Sequence, residues 1–543
     1  MAKKIFVGVA WPYANGPLHA GHLAGVYLPA DIFCRYHRIQ GNPILMVSGS
    51  DAHGTPITVR AEKEGVSPAD IAERFHREFQ GYWASLGISF DHYTTTRSLT
   101  HQKTVGEIFS TLLDKGYLFQ KEVEAYYDPI KKRFLPDRYI EGTCPRCGYE
   151  RARGDQCEGC GTLLEPSQLL FPRSLLSGEP PVLRTTIHFF FDLPAFQDRL
   201  VAWVKENHHW RSNVYRFTLS FLAQGLQPRA ITRDLEWGIP VPYPGYEQKR
   251  IYVWFEAVIG YLSATIEYAQ KQGNPDGWKE WWQDPEVRSY YFIGKDNIPF
   301  HTIIWPAILL GVGALNLPYD VPASEYLVFG GAKASKSQGI GVTLPDLLRH
   351  FTPDEIRYGL AAVLPESSDT NFELDEFLRR HNEELVGIYG NLIHRTITFA
   401  HNYLGGQVPS FPGLDAGISE AIEKAFQEES CCLEAVRLRD GLRVALGLAR
   451  LGNRYFEEKA PWKSARENPP AMKAALGNLL NLLQALKILW YPFLPHASQR
   501  LHELLGASGK VEETGWAFRP LEPHTPLGKP LLPFRKLEAT QLG

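Results

Sequence analysis

The feature that most constrains this chain is a short apolar run, Ile5 to Ala10, followed at once by a Pro- and Gly-rich turn, a helical run from His22 to Ile39 and a second apolar run from Pro43 to Val47. Two strands joined across a helix make a βαβ unit. A crossover of that length returns the chain to pair in parallel, and strands this continuously apolar belong in a sheet covered on both faces. The same pattern resumes far downstream, at Ile251 to Phe255 and at Tyr290 to Gly294, each an apolar run expected to lead into a helix. Between the two halves, from Leu118 to Glu247, the segments are short, charged, aromatic and irregular. An α/β sheet that is interrupted and then continued is a split nucleotide-binding fold carrying an insertion.

From Leu374 to about Leu505 nearly every segment has helical periodicity, and a Pro- and Leu-rich stretch follows. The expected fold class is therefore multi-domain, α/β plus all-α. It divides into a Rossmann-like parallel-sheet catalytic domain, first half (1–117), a connective insertion (118–247), the second half (248–325), a loop and linker region (326–373), a helical bundle (374–505) and a tail packing back (506–543). With 543 residues, 44% of them hydrophobic, several cores can be buried. The longest apolar run, Ile303 to Leu317, is broken by Pro306 and two glycines, so no membrane span is expected. The start, Met-Ala-Lys-Lys, lacks the apolar region and cleavage site of a signal peptide, which points to the cytosol. A net charge of -3 argues against a globally basic RNA binder, and any RNA surface must be local.

Four of the seven cysteines fall within 17 residues, as Cys144-Pro-Arg-Cys147, nine residues, then Cys157-Glu-Gly-Cys160. Two such hairpins supply four thiolates to one tetrahedral zinc ion, a structural knuckle with no open position for catalysis. Redox thiols or disulfides are the competing readings, but a thioredoxin-like site needs only one such pair.

Directly after the first strand stands Pro12-Tyr13-Ala14-Asn15-Gly16-Pro17-Leu18-His19-Ala20-Gly21-His22. Two imidazoles and a glycine at a helix N-terminus suit a phosphate, whose charge the helix dipole and imidazole donors stabilise. Alone, the motif also fits two surface histidines or half of a metal site. Much later comes Gly331-Ala332-Lys333-Ala334-Ser335-Lys336-Ser337-Gln338-Gly339, a small-residue loop whose lysines can neutralise a triphosphate. Alone, it also fits a flexible solvated loop.

Together, H-x-G-H after the first strand and K-x-S-K-S after a late one resemble the paired signatures of class I aminoacyl-tRNA synthetases, with Ala334 where the family usually has methionine. The resemblance covers nearly the whole chain and implies catalytic roles for His19, His22, Lys333 and Lys336. It implies ATP binding, with magnesium, by Gly21, His22, Gly294, Asp296 and Lys336. The insertion, about 130 residues from Leu118 to Glu247, leaves little room for an editing domain and is similar to that of methionyl-tRNA synthetases.

Two further segments match that family: Tyr252-Val-Trp254-Phe-Glu256-Ala257-Val-Ile-Gly260-Tyr261, and Phe292-Ile293-Gly294-Lys295-Asp296-Asn297-Ile-Pro-Phe300-His301, followed by Trp305. By resemblance, methionine is bound by Ala10, Trp11, Tyr13, Asp51, Trp254, Ala257, Tyr261, Phe300, His301 and Trp305. Aromatic rings hold a polarizable thioether well, although as a pattern these residues also fit an ordinary aromatic core. Trp11, Glu256 and Val258 stand where the family usually has Leu, Asp and Pro. Asp51, in Ser48-Gly-Ser-Asp51-Ala52-His53-Gly54-Thr55 after the second strand, suits an α-ammonium as an ionised carboxylate, with a turn cap as its alternative.

In the helical part Asn391 and Arg395, four apart, share a helix face. Arg439, Arg443, Arg450 and Arg454 fall within about 60° around a helix, with Trp462 beyond them. A basic stripe beside an aromatic tip suits unstacked RNA bases, and equally describes a solvated face. The resemblance implies that Asn391, Arg395 and Trp462 read a tRNA anticodon. It also implies the activity: L-methionine is activated with ATP and joined to methionine tRNA, by a protein expected to be a monomer. Another class I synthetase, or a non-catalytic zinc-containing RNA-binding protein, would share part of the pattern.

Overall fold

The computed structural model describes residues 3–136, 139–154, 157, 159–160, 164, 166–330, 332–333 and 342–538. Five parallel strands form the central sheet: β1 (Ile5–Val9), β2 (Ile44–Ser50), β3 (His92–Thr95), β4 (Arg288–Gly294) and β5 (Ala323–Ser324), in the order β5-β4-β1-β2-β3. Ile5 of β1 pairs with Ile44 of β2 on one side and Arg288 of β4 on the other, so the late strand closes against the first as expected of a split fold. Strand β1 is buried on both faces. Ile5, Val7 and Val9 enter one core with helix α1 (residues 20–39), while Phe6 enters a second with helices α2 (Leu99–Asp114) and α3 (Val253–Lys271). This two-sided burial is why the strand carries no polar alternation.

The run Ile251 to Phe255 differs from its reading as a strand. Only Arg250–Ile251 is extended, paired with Thr232–Arg233, and α3 begins at Val253. The helix is buried on nearly every side, including Phe255, Val258, Ile259, Leu262 and Ala264. Burial all round removes the polar face that would have revealed a helical period.

The insertion is built on a long antiparallel ribbon, Leu118–Asp128 against Val182–Phe191. Its tip carries a small sheet of Ile140–Thr143, Ala152–Arg153 and Leu170–Ser174, beside the four cysteines. The C-terminal region is helical, from residues 374–404 through Ala416–Glu434, Leu438–Lys459, Pro461–Glu467 and Pro469–Leu489 to Pro495–Leu504. The following chain lies back along it. Asn382 exchanges hydrogen bonds with the backbone of Leu537, and the His401 imidazole donates to the Gly528 carbonyl.

One buried cluster ties these parts together. Asp31 of α1 is fully buried and accepts from Arg35 (2.8 Å) and from Arg357 (2.7 Å), which lies on helix α4 (Pro353–Ala361). Its other oxygen accepts from the backbone and hydroxyl of Ser89. Arg357 also donates to the carbonyls of Pro492 and Phe493 in the bundle and of Leu86. Burial opposes ionisation of Asp31, but the two guanidinium groups and Ser89 outweigh it and hold the carboxyl well below the usual carboxylate range. Asp31→Asn strands the Arg357 charge and should lower stability by about 3–5 kcal/mol, read as a lower urea midpoint. Replacing both partners with apolar residues should recover much of that loss, and an unchanged midpoint in the single variant would contradict the assignment.

Candidate active site

The carboxyl ends of the strands meet an open cleft of about 1590 Å³, whose opposite wall includes Val123, Ala125, Leu183 and Phe190 of the insertion ribbon. Ala10 follows β1, Asp51 follows β2 and Gly294 ends β4, so the topology delivers all three to one edge. The loop after β1 is locked there. Ala10 N–H donates to Phe292 O (3.0 Å), Asp51 N–H to Pro12 O (2.9 Å) and Ala14 N–H to Asp51 O (2.8 Å).

His19 is extended (φ -118°) immediately before α1, and His22 accepts its N–H at Nδ1 (3.2 Å) with the two rings 3.7 Å apart. Gly21 makes room for them, since a Cβ there would sit 3.0 Å from the His19 ring. The strands Leu327–Phe329 and Ala332–Lys333 pair, and the chain returns at Val342, whose carbonyl accepts from Ala20 N–H (2.9 Å). Leu344 N–H then donates to Leu18 O (2.8 Å). The two ends of the lysine loop are thus anchored next to the histidine motif. Lys336, Ala334 and the Lys333 side chain lie outside the described residues. Gly294 faces open space, and the exposed Asp296 accepts from the Tyr326 hydroxyl.

Deeper in the cleft, Trp254 and Phe300 stack at 4.2 Å and 13°, and Tyr13 meets Trp254 edge-on at 5.9 Å. The Tyr261 hydroxyl donates to His301 Nε2 (2.7 Å), while His301 Nδ1–H donates to Asn297 O (2.9 Å). Burial lowers His301 to about 4 and raises the Tyr261 phenol well above its usual value, so the pair is a neutral imidazole facing a protonated phenol. Ala10, Trp11 and Ala257 complete this wall. Trp305 differs from its sequence-based placement. It is fully buried behind the wall, donating to Tyr291 Oη (3.2 Å) and packed edge-on to Trp282.

Asp51 is nearly buried and accepts the His53 N–H at one oxygen (3.2 Å). Its carboxyl is raised well above the usual range by burial first and then by the charge of Glu256. Among the lining residues that sequence reasoning missed are His53 and Arg233. His53 is bonded to Glu256 across 203 positions, which no local pattern reveals. Arg233 lies over the Tyr252 ring at 4.0 Å, on an irregular stretch of the insertion without periodicity.

In the knuckle, Cys144 and Cys160 sulfurs are 3.9 Å apart, Cys147 and Cys157 3.6 Å, and all four lie within 4.8 Å of one another. A tetrahedral zinc with Zn–S near 2.3 Å places sulfurs about 3.8 Å apart, so the donors fit that ion. Burial raises the Cys144 thiol, but the N–H groups of Cys147 and Arg146 outweigh it and hold it below the usual thiol value.

On the bundle, Arg395 lies over the Phe456 ring at 4.1 Å and pairs with Glu457 (2.6 Å), and Trp462 stacks on the same ring at 5.9 Å. Asn391 is half-buried one turn from Arg395. The expected basic stripe is largely compensated, because Arg443 pairs with Asp440, Arg450 with Glu384 and Arg454 with Glu458.

The chain is similar to known proteins over nearly its full length. The family model described as tRNA synthetases class I (M) matches residues 5–397, and that of the anticodon binding domain of methionyl tRNA ligase matches residues 411–542. A methionine–tRNA ligase of Dehalococcoides mccartyi is 50% identical over 522 residues, covering 96% of this chain and 94% of that protein. Its counterpart in Thermomicrobium roseum is 48% identical, covering 99% and 97%. The solved Mycobacterium tuberculosis methionyl-tRNA synthetase bound by methionyl-adenylate shares the fold, with a TM-score of 0.82 at 22% identity over 98% of this chain and 100% of that one. With both halves of the chain matched and relatives this similar over nearly its full length, the chain belongs to the methionyl-tRNA synthetase family of class I aminoacyl-tRNA ligases.

Proposed function

We propose that this chain activates L-methionine with ATP to methionyl-adenylate and transfers the methionyl group to the 3′ end of methionine tRNA. The observation that carries this reading is the single cleft that holds the H-x-G-H motif, the return of the lysine loop and a neutral Tyr261–His301 pair among stacked aromatic rings. The methionine carboxylate attacks the α-phosphorus and pyrophosphate leaves. A ribose hydroxyl of the tRNA then attacks the activated carbonyl and AMP leaves. Trp254, Phe300, Ala257, Ala10, Trp11 and Tyr13 enclose the side chain, Tyr261 and His301 meet the sulfur, and Asp51 takes the ammonium. Gly21, Gly294 and Asp296 receive the adenosine and phosphates. His19, His22, Lys333 and Lys336 stabilise charge on the departing pyrophosphate, with magnesium arriving on ATP. Asn391, Arg395 and Trp462 read the anticodon on the bundle, and one zinc ion on the four cysteines holds the knuckle.

The direct test is methionine-dependent exchange of pyrophosphate into ATP. Lys336→Ala should lower that rate by about a hundredfold or more with little change in methionine affinity, because a charge that matters only in the transition state affects kcat. An undiminished exchange rate would remove the lysine from the mechanism.

Trp462→Ala should reduce aminoacylation at limiting tRNA by roughly tenfold to a hundredfold, the worth of one stacked base. Exchange with free methionine should be untouched. Equal damage to both reactions would make this tryptophan a packing residue.

Elemental analysis of the purified protein should find one zinc per chain. Cys157→Ser should lose it and loosen the knuckle, measured as faster proteolysis near residue 150. Metal-free protein with an intact knuckle would end the zinc assignment.

A further inference from the structure

Glu256 is fully buried in the first turn of α3, where an ionised carboxylate is costly unless something holds it. Its single hydrogen bond among the described residues is accepted at Oε1 from His53 Nδ1–H (2.8 Å). Among the described residues Oε2 has no hydrogen-bond partner, and it faces His101 Nε2, likewise without one, at 3.9 Å. His53 is the last residue of a turn held at every position. Asp51 N–H donates to Pro12 O, Ala52 N–H to Thr96 Oγ1 (2.9 Å) and Trp237 Nε1–H to Ala52 O (2.8 Å). His53 N–H takes one oxygen of Asp51, and Asp51 lines the cleft.

We propose that Glu256 is a positioning residue of the amino-acid site: through the His53 imidazole it fixes the Asp51–His53 turn and adds a second negative charge, so that this end of the cleft is completed by the substrate ammonium. The inference rests on the reading that Asp51 receives that ammonium.

The surrounding charges are consistent with this role. His53 comes from the turn after β2 and His101 from α2, where its Nδ1 bonds Ser263 Oγ (2.8 Å). Behind His101 lies Glu267, engaged by His92 and Ser98. Burial, with the influence of His53, lowers His101 to about 3 and keeps it neutral at physiological pH. No lysine or arginine among the described residues acts on Asp51, whose carboxyl is raised by burial and by Glu256. Two carboxylates without a fixed lysine or arginine select a cationic ligand.

The test separates charge from position. Glu256→Gln keeps an acceptor for His53 and removes the charge, while Glu256→Ala removes both. Because Asp51 is raised above its ordinary value, methionine affinity in the unmodified enzyme falls as pH drops through the raised value. In Glu256→Gln that loss should move to lower pH, with KM for ATP unchanged. Glu256→Ala should weaken methionine binding by about tenfold or more at every pH. The probe 4-(methylthio)butanoate, which keeps the thioether and carboxylate but has no ammonium, should bind both variants like the unmodified enzyme. If Glu256→Ala weakens both ligands equally, or if neither variant alters methionine binding or its pH profile, the proposal is overturned. Asp51→Asn distinguishes the two levels. Unchanged methionine binding there defeats the ammonium reading itself, whereas weakened binding beside silent Glu256 variants defeats only the role of Glu256.

Discussion

The buried carboxylate of Asp31 is the interaction on which the arrangement of the molecule depends. It sits on α1, the helix that His19 immediately precedes and whose first turn carries Gly21 and His22, and it is neutralised by Arg357 from a helix that contacts the bundle. Arg357 spends its remaining donors on carbonyls at residues 492, 493 and 86. An apolar contact between the two regions would tolerate sliding, because dispersion has little directional preference. A guanidinium with fixed acceptors on three segments does not. The same ion cluster therefore orients the helix that follows the histidine motif and the helical surface that carries Asn391, Arg395 and Trp462.

Around that frame, the parallel sheet supplies a single edge at which chemistry accumulates. Ala10, Asp51 and Gly294 each stand where a strand stops, so their spacing follows from strand pairing near 4.8 Å more than from any loop design. Loop residues are then pinned to that edge by backbone bonds, notably between Leu18–Ala20 and Val342–Leu344. This junction brings together sequence motifs more than 300 positions apart and positions the mouth of the lysine loop beside the histidines. The insertion closes the opposite side of the cleft as a ribbon, which needs no core of its own along most of its length and ends in a knuckle whose four cysteines form a donor set able to hold a metal.

Much of this was legible from residues alone. The strands at Ile5 and Tyr290 read as apolar runs because burial on both faces demands it, and the cysteine spacing announced its donor set. The pocket residues became visible only through resemblance, since Trp254, Tyr261 and Phe300 are indistinguishable from packing aromatics until the cleft is seen. The start of α3 was misread for the same reason that β1 was read correctly: complete burial produces an unbroken apolar run in either conformation. Trp305 was assigned to the wall although it packs one layer deeper, because a sequence does not say which side of a helix meets a cavity. The arginine stripe on Leu438–Lys459 was visible as positive charge; two of its acidic partners, Asp440 and Glu458, lie on the same helix, whereas Glu384 comes from another helix and was not visible as a partner.

The pocket wall shows how such departures can be absorbed. Trp11 occupies a position where the family usually carries the smaller leucine, and its indole fills space left by two glycines. A Cβ at Gly49 would lie 2.5 Å from the ring and one at Gly260 2.7 Å, so neither position accepts a side chain while Trp11 is present. The accommodation has a cost, because the buried indole N–H has no hydrogen-bond partner among the described residues. Gly260 also lies on α3 between Glu256 and Ser263, the residue bonded to His101, and the Trp11 and His101 rings are 6.0 Å apart. The enlarged ring, the two glycines and the Glu256 carboxylate bonded to His53 therefore share one packed volume. A change in any of them is felt both at the aromatic wall around Trp11 and at the Asp51–His53 turn.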